Sequence, residues 1–381
     1  MKKKILSVVL SLALVGGLFA GCGGNGGSTG GSTDTGSTDT QATTSDDGGS
    51  TASGGGQKVG VSMPTKDLQR WNQDGANMES ELKAAGFEVD LQYAANDTQQ
   101  QLSQVENMIN SGCSVLVIAA IEGSSLGEAL DMAKENNIPV IAYDRLLMDS
   151  DAVSYYATFD NYMVGTIQGK YVEEQLDLKN AGDKTYNIEF TAGDPGDNNA
   201  GFFFNGAYDV LKPYIDKGTL KVVSGQTKFE DVATPTWGTD VAQKRAENIL
   251  STYYADGTEL DAWLCSNDST ALGVENALAA NYNGKYPIIT GQDCDIENTK
   301  NMIAGKQSMS VFKDTRTLAS QVVKMVGQIL NGEDVDVNDT ETYNNNKITV
   351  PSYLCEPVFA DANNYKELLI DSGYYTEDQL K

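Results

Sequence analysis

Polar clusters close several short apolar runs of the chain: Lys66 in "SMPTK", Asp144 and Arg145 in "AYDR", Asn267 and Asp268 in "CSND", Gln292 and Asp293 in "GQD", Lys313 and Asp314 in "VFKD". Carboxylate, amide and guanidinium groups are planar, and each can hold two hydroxyls at once. Trp71 in "QRWNQDG" and Trp237 in "TPTWGTD" add flat apolar faces outside any periodic pattern. A pyranose ring stacks its axial C–H groups on such a face while its hydroxyls point outwards. The inventory matches a sugar.

Each acid and amide also has a plainer role, because Asp and Asn commonly open helices. That alternative stands for Asp144, Asn267 and Asp293, and more strongly for Asp268 and Asp314. Arg145 and Lys313 suit it poorly, since the helix dipole opposes a cation at an N-terminus. Trp263, between Ala262 and Leu264, reads as core.

Catalysis has weak support. The acids are mixed with Arg, Lys and Asn, which hold carboxylates ionised as acceptors rather than proton donors. Neither the phosphate-loop nor the zinc-protease motif occurs. The chain contains no histidine, which removes the commonest general base and transition-metal ligand. Cys113, Cys265, Cys294 and Cys355 form no C-x-x-C pair and leave three disulfide pairings open. "DVDVND" imitates the start of a calcium loop, but Asp339 replaces its glycine and Asn345 its bidentate Glu, so it reads as a solvated loop. No cofactor and no metal are expected.

The elements that position these groups alternate strand and helix. "KVGVSM", "EVDLQYA", "VLVIAAI" and "IPVIAYD" read as strands, separated by helical patterns such as "TQQQLSQVENMINSG", where Leu102, Val105 and Ile109 share a face. The pattern restarts near Thr185 with "YNIEFTAG", "LKVVSG", "LDAWLCSND" and "PIITGQD", again with helices between. This predicts an α/β fold of two Rossmann-like, doubly wound parallel-sheet lobes. Ligands of such sheets lie beyond the carboxyl ends of the strands, where the polar clusters sit.

The chain opens with three lysines, an apolar stretch too short for a comfortable membrane span, and "LFAGC". Residues 1–21 read as an export signal and Cys22 as a lipid-attachment site. Residues 22–56, almost wholly Gly, Ser, Thr and Asp, read as a flexible tether with a span on the order of 30 Å. The expected location is the extracytoplasmic face of the cell membrane, held by the Cys22 lipid. The 53 acidic residues outnumber the 27 basic ones, a balance that argues against nucleic acid and anionic lipid as main partners.

"RWNQDG", "QLSQVENMI", "IAYDRL", "SYYATFDN", "GDPGDNNA", "VFKDTR", "VNDTETY" and "VPSYL" together resemble the xylose-binding and multiple-sugar-binding periplasmic proteins of the type I substrate-binding family. The resemblance runs from about Lys58 to Lys381. It implies two lobes joined by a three-segment hinge, a sugar enclosed between them, and delivery to an ABC permease by a monomeric receptor. It puts Arg70, Asp144, Arg145, Asn199, Asn267, Asp293 and Lys313 on the sugar hydroxyls, with Asn198 in place of Asn199 if the loop register slips. Trp71 and Trp237 would flank the ring, and Lys66 matches a lysine of the multiple-sugar branch. The lobes are expected at 57–162 plus 294–345 and at 163–293 plus 346–381. The ligand class is an aldopyranose: xylose, glucose, galactose or arabinose. Two rival readings are a sensor that passes its closed state to a membrane kinase or chemoreceptor, and a sugar-modifying enzyme.

Overall fold

"VLVI" and "VIAY" are buried at every position, as strands covered on both faces must be. The computed structural model describes residues 56–381, so the signal peptide, Cys22 and nearly all of the tether lie outside the described residues. The first half runs β1 (Lys58–Met63), α1 (Gln69–Ala84), β2 (Glu88–Tyr93), α2 (Thr98–Asn110), β3 (Val115–Ile118), α3 (Gly127–Glu135), β4 (Val140–Tyr143) and β5 (Val153–Phe159). The second half opens with α4 (Asn161–Gln175), β6 (Tyr186–Thr191), α5 (Asn198–Lys217), β7 (Leu220–Val222) and α6 (Phe229–Val232). It continues through α7 (Thr239–Tyr253), β8 (Ala262–Cys265), α8 (Asp268–Asn281), β9 (Ile288–Ile289) and α9 (Ile296–Ile303). The tail is β10 (Met309–Phe312), α10 (Thr315–Asn331), β11 (Ser352–Cys355) and β12 (Val358–Asp361).

Among the described residues the strands form a six-stranded sheet, β11-β5-β4-β3-β1-β2, and a four-stranded sheet, β7-β6-β8-β9, both parallel throughout. An antiparallel pair, β10 and β12, extends the second sheet through a bridge between Gln292 and Val311. Cores fill both faces of each sheet. Val59, Val61 and Met63 pack with α1 and α10, whereas Leu116 and Ile118 face α2 and α3. In the second lobe Ile188 and Leu264 pack against α5, and Trp263 against α7 and α8.

The chain passes between the sheets three times: between β5 and α4, between β10 and α10, and between β11 and β12. Two of the expected lobe boundaries therefore differ from the structure. Residues 294–312 accompany the second sheet, because the Gln292–Val311 bridge carries the chain on into β10 before it leaves. Residues 352–355 join the first sheet, because β11 pairs in register with β5. Sequence reading also omits β5 and β12 as strands.

No helix among the described residues is long and apolar enough to cross a membrane. All four described cysteines are buried free thiols, so none of the three disulfide pairings is made.

Candidate sugar-binding cleft

The strand ends of both sheets meet in a cleft lined by Leu68, Arg70, Trp71, Asp144 and Arg145 from the first lobe. Asp197, Phe203, Trp237, Asn267, Ser269, Gln292, Asp293 and Asp295 face them from the second, and Lys313 lies on the segment that crosses from β10 to α10.

Arg70, in the first turn of α1, is the hub of the charge pattern. Its Nε lies 3.0 Å from Asp74 Oδ2, its Nη1 donates to Asp293 Oδ1 at 3.2 Å, and its Nη2 donates to Asp144. Lys313 Nζ stands 3.0 Å from the same Asp293 oxygen. Arg145 sends Nη1 to the carbonyls of Ala120 and Ile121, both at 3.1 Å, and holds Nε 3.2 Å from Asp197 Oδ2. Buried charges persist only when so paired. Two of the pairs, Arg70–Asp293 and Arg145–Asp197, cross the cleft.

Burial alone would lower the pKa of Arg70, but Asp144, Asp74 and Asp293 outweigh it and hold the guanidinium well above its ordinary value. Burial would likewise raise Asp144, yet Arg70, Lys313 and Arg145 keep it below the usual carboxylate range. Asp144 is thus an ionised acceptor. Beneath the cleft floor burial wins: Asp74, which also accepts from the Tyr143 hydroxyl, is pushed up to about 6 despite Arg70. Asp197 is raised by burial against Arg145.

Asp144 follows β4 with φ of +60°, a conformation that needs support in a non-glycine residue. Its carbonyl accepts from Tyr156 Oη at 2.6 Å, Thr158 Oγ1 at 2.9 Å and Asn199 Nδ2 at 2.6 Å. That is the place of Asn199. Its side chain reaches Tyr156, Asn161 and the Asp144 backbone instead of lining the cleft, so it orients Asp144 from behind. Lys66 is also outside: exposed, with Nζ 4.7 Å from the Tyr93 ring centre. The other eight expected residues line the cleft.

Asn267 does two things at once. Its Oδ1 caps α8 by accepting from Thr270 N at 3.0 Å, which leaves the amide nitrogen as the group available to the cleft. Asp314, by contrast, stays out of the cleft, capping α10 by accepting from Arg316 N at 3.0 Å and pairing with the Arg316 guanidinium, Nη2 to Oδ2 at 2.7 Å. Asp268 is buried beneath the chain around Asp295 and β10, taking Gln307 Nε2 at 2.8 Å, Ser310 Oγ at 2.9 Å and Asp295 N at 2.8 Å.

The tryptophans are held rigidly. Trp71 carries the Arg70 and Arg145 guanidinium groups 5.3 Å and 5.0 Å from its ring centre. Trp237 ends the turn Pro235–Trp237, where Thr236 and Trp237 both have positive φ, and donates Nε1 to Asp197 Oδ2 at 3.3 Å. Its indole fits over Gly193, where a Cβ would stand 1.9 Å from a ring carbon. Gly193→Ala should therefore displace the indole, cost roughly 1–3 kcal/mol of stability and weaken sugar binding by about tenfold. Chemical denaturation and calorimetric titration measure the two effects.

Sequence reading misses Leu68, Asp197, Phe203, Ser269 and Asp295 as lining residues, and places Gln292 at a strand end without setting it on the sugar. Asp197 was open to detection, because "GDPGDNNA" places an acid where a helix opens after a strand. Phe203 and Leu68 carry no signal that separates them from core. No group of three or more His, Cys, Asp or Glu residues among those described could hold a metal ion.

Residues 59–334 match the periplasmic binding protein domain family. The chain is 48% identical over 327 residues to the multiple sugar-binding periplasmic receptor ChvE of Rhizobium radiobacter, covering 85% of this chain and 92% of that one. It is 35% identical over 323 residues to the D-xylose-binding periplasmic protein of Escherichia coli K12, with coverage of 85% and 92%. An ABC transporter solute binding protein from Clostridium phytofermentans, crystallised with bound β-D-glucose, matches with a TM-score of 0.84 at 69% identity. That match covers 85% of this chain and 100% of the other.

Proposed function

We propose that this chain, which belongs to the periplasmic binding protein domain family, is an extracytoplasmic receptor that binds an aldopyranose between its two lobes and delivers it to an ABC permease. The observation that carries the reading is the paired charge array across the cleft. Arg70, Lys313 and Arg145 each hold a carboxylate in place, and Trp71 and Trp237 line the same space. Such groups accept and donate to several hydroxyls without turning over a substrate. The related proteins with sugars in their names or bound in their crystals support the same class of ligand.

The mechanism is hinge closure. A sugar that touches both lobes stabilises the closed arrangement, and the closed surface is what the permease recognises. The Arg70–Asp293 pair already spans from α1 of the first lobe to the segment after β9 of the second, so ligand hydroxyls join an interlobe network. Attachment through a lipid on Cys22, with residues 23–56 as the leash, would keep a monomeric receptor beside its permease. In a cell with no outer membrane an unanchored receptor would be lost.

Titration calorimetry of the chain without residues 1–22 against xylose, glucose, galactose, arabinose and ribose tests the reading. Tight binding of at least one aldopyranose is expected, and the sugar should be recovered unchanged after long incubation. Silence with all five, or turnover, contradicts it.

A further inference from the structure

Asp295 opens α9, the position at which an aspartate ordinarily accepts backbone amides of the first turn. Here it makes no capping hydrogen bond, and the residue lines the cleft instead. Its Oδ1 is buried and has no hydrogen-bond partner. A buried polar atom left this way is costly unless something else satisfies it.

The neighbouring charges are already committed. Arg70 from α1 pairs with Asp74, Asp144 and Asp293, Lys313 after β10 pairs with Asp293, and Arg145 pairs with Asp197. The remaining titratable neighbours are Asp293 and the buried Cys294 thiol on the same segment, Asp268 from α8, whose Oδ2 accepts Asp295 N, and Tyr375 of the C-terminal segment, which donates to Cys294 O at 2.9 Å. Four acids, Asp144, Asp197, Asp293 and Asp295, line the cleft with three bases. Asp295 is the acid left without a cation partner in the salt bridges among the described residues.

We propose that Asp295 is a further ligand-contacting residue, and that its carboxyl, in the neutral acid form, donates a hydrogen bond to an oxygen of the bound sugar. The inference rests on the sugar-receptor reading above. Every other aspartate of the cleft is tied to a cation and serves as an acceptor, so a donor-capable carboxyl adds what the others lack. Burial, and after it Asp293, push Asp295 up to about 7, with Arg70 and Lys313 opposing. The acid form is therefore well populated at neutral pH and depleted above it. Binding that needs the proton weakens as pH rises through 7, by up to about tenfold between pH 6.5 and 8.

The test is calorimetric titration of the chain without residues 1–22, using glucose and xylose as probes, at pH 6.5 and 8. Each titration is run in two buffers of different ionisation enthalpy. The wild type should bind more weakly at pH 8 and take up protons on binding. Asp295→Asn keeps the shape and a permanent donor, so it should bind about as well as the wild type does at pH 6.5 and lose the pH dependence. Asp295→Ala should bind at least fivefold more weakly at pH 6.5 while unfolding at a similar temperature. A pH slope retained in Asp295→Asn, or unimpaired binding by Asp295→Ala, overturns the assignment and leaves the receptor reading intact. A wild type silent towards both sugars and towards galactose, arabinose and ribose overturns both.

Discussion

Asp293→Ala should remove measurable sugar binding, with affinity lowered by at least about a hundredfold. The Asp293 carboxylate is the one oxygen cluster that receives cations from both directions, Arg70 at 3.2 Å and Lys313 at 3.0 Å. Truncating it deletes an acceptor for ligand hydroxyls and leaves Lys313, which is 3% exposed, without its partner. Removing one member of a buried, hydrogen-bonded charge pair costs about 2–5 kcal/mol, and each 1.4 kcal/mol is tenfold in affinity. Folding should survive, because Arg70 keeps Asp74 and Asp144. Asp293 also adopts φ of +96°, an unfavourable conformation for a residue with a side chain, and strain of this kind collects at binding sites. Titration with the sugar the wild type binds, alongside thermal unfolding, separates lost binding from lost structure.

Arg70→Met should damage the fold as well as the site. It would leave Asp74, Asp144 and Asp293 converging with no guanidinium between them, at a cost of about 3–5 kcal/mol. The sign of the pH effect follows from the carboxylates. Without Arg70 their folded-state pKa values rise above the unfolded ones. Such groups favour folding at low pH and penalise it progressively as pH rises through the folded values. Asp74, already at about 6 in the intact protein, shows the tendency. The stability gap between Arg70→Met and the wild type should therefore be widest at pH 8 and narrow at pH 5.5. Urea denaturation at both values measures it, and a gap independent of pH would contradict this account of Arg70.

The parallel sheets were legible because their strands are short apolar runs between amphipathic helices, and Asp144, Arg145, Asn267, Asp293 and Lys313 were legible because each closes such a run. Residues that meet the cleft by another route were not. Asp295 looks like an ordinary helix cap in sequence, and only the missing capping bond separates it from Asp314, which is one. Asn199 shows the reverse. It stands one residue inside α5, where the helix turns its amide back towards the Asp144 carbonyl. The lobe boundaries failed for a related reason: "GQD" ends an apolar run as a hinge would, but a single bridge from Gln292 to Val311 holds the chain beside the second sheet for another strand.

The most direct test of the central claim is a crystal structure of residues 57–381 grown with the aldose that binds best. One pyranose is expected in the cleft between Trp71 and Trp237, with Asp293, Asn267, Arg145 and Lys313 at hydrogen-bond distance, roughly 2.7–3.2 Å, from its hydroxyls. A sugar bound elsewhere on the molecule, or a cleft left unoccupied at saturating sugar, would contradict it.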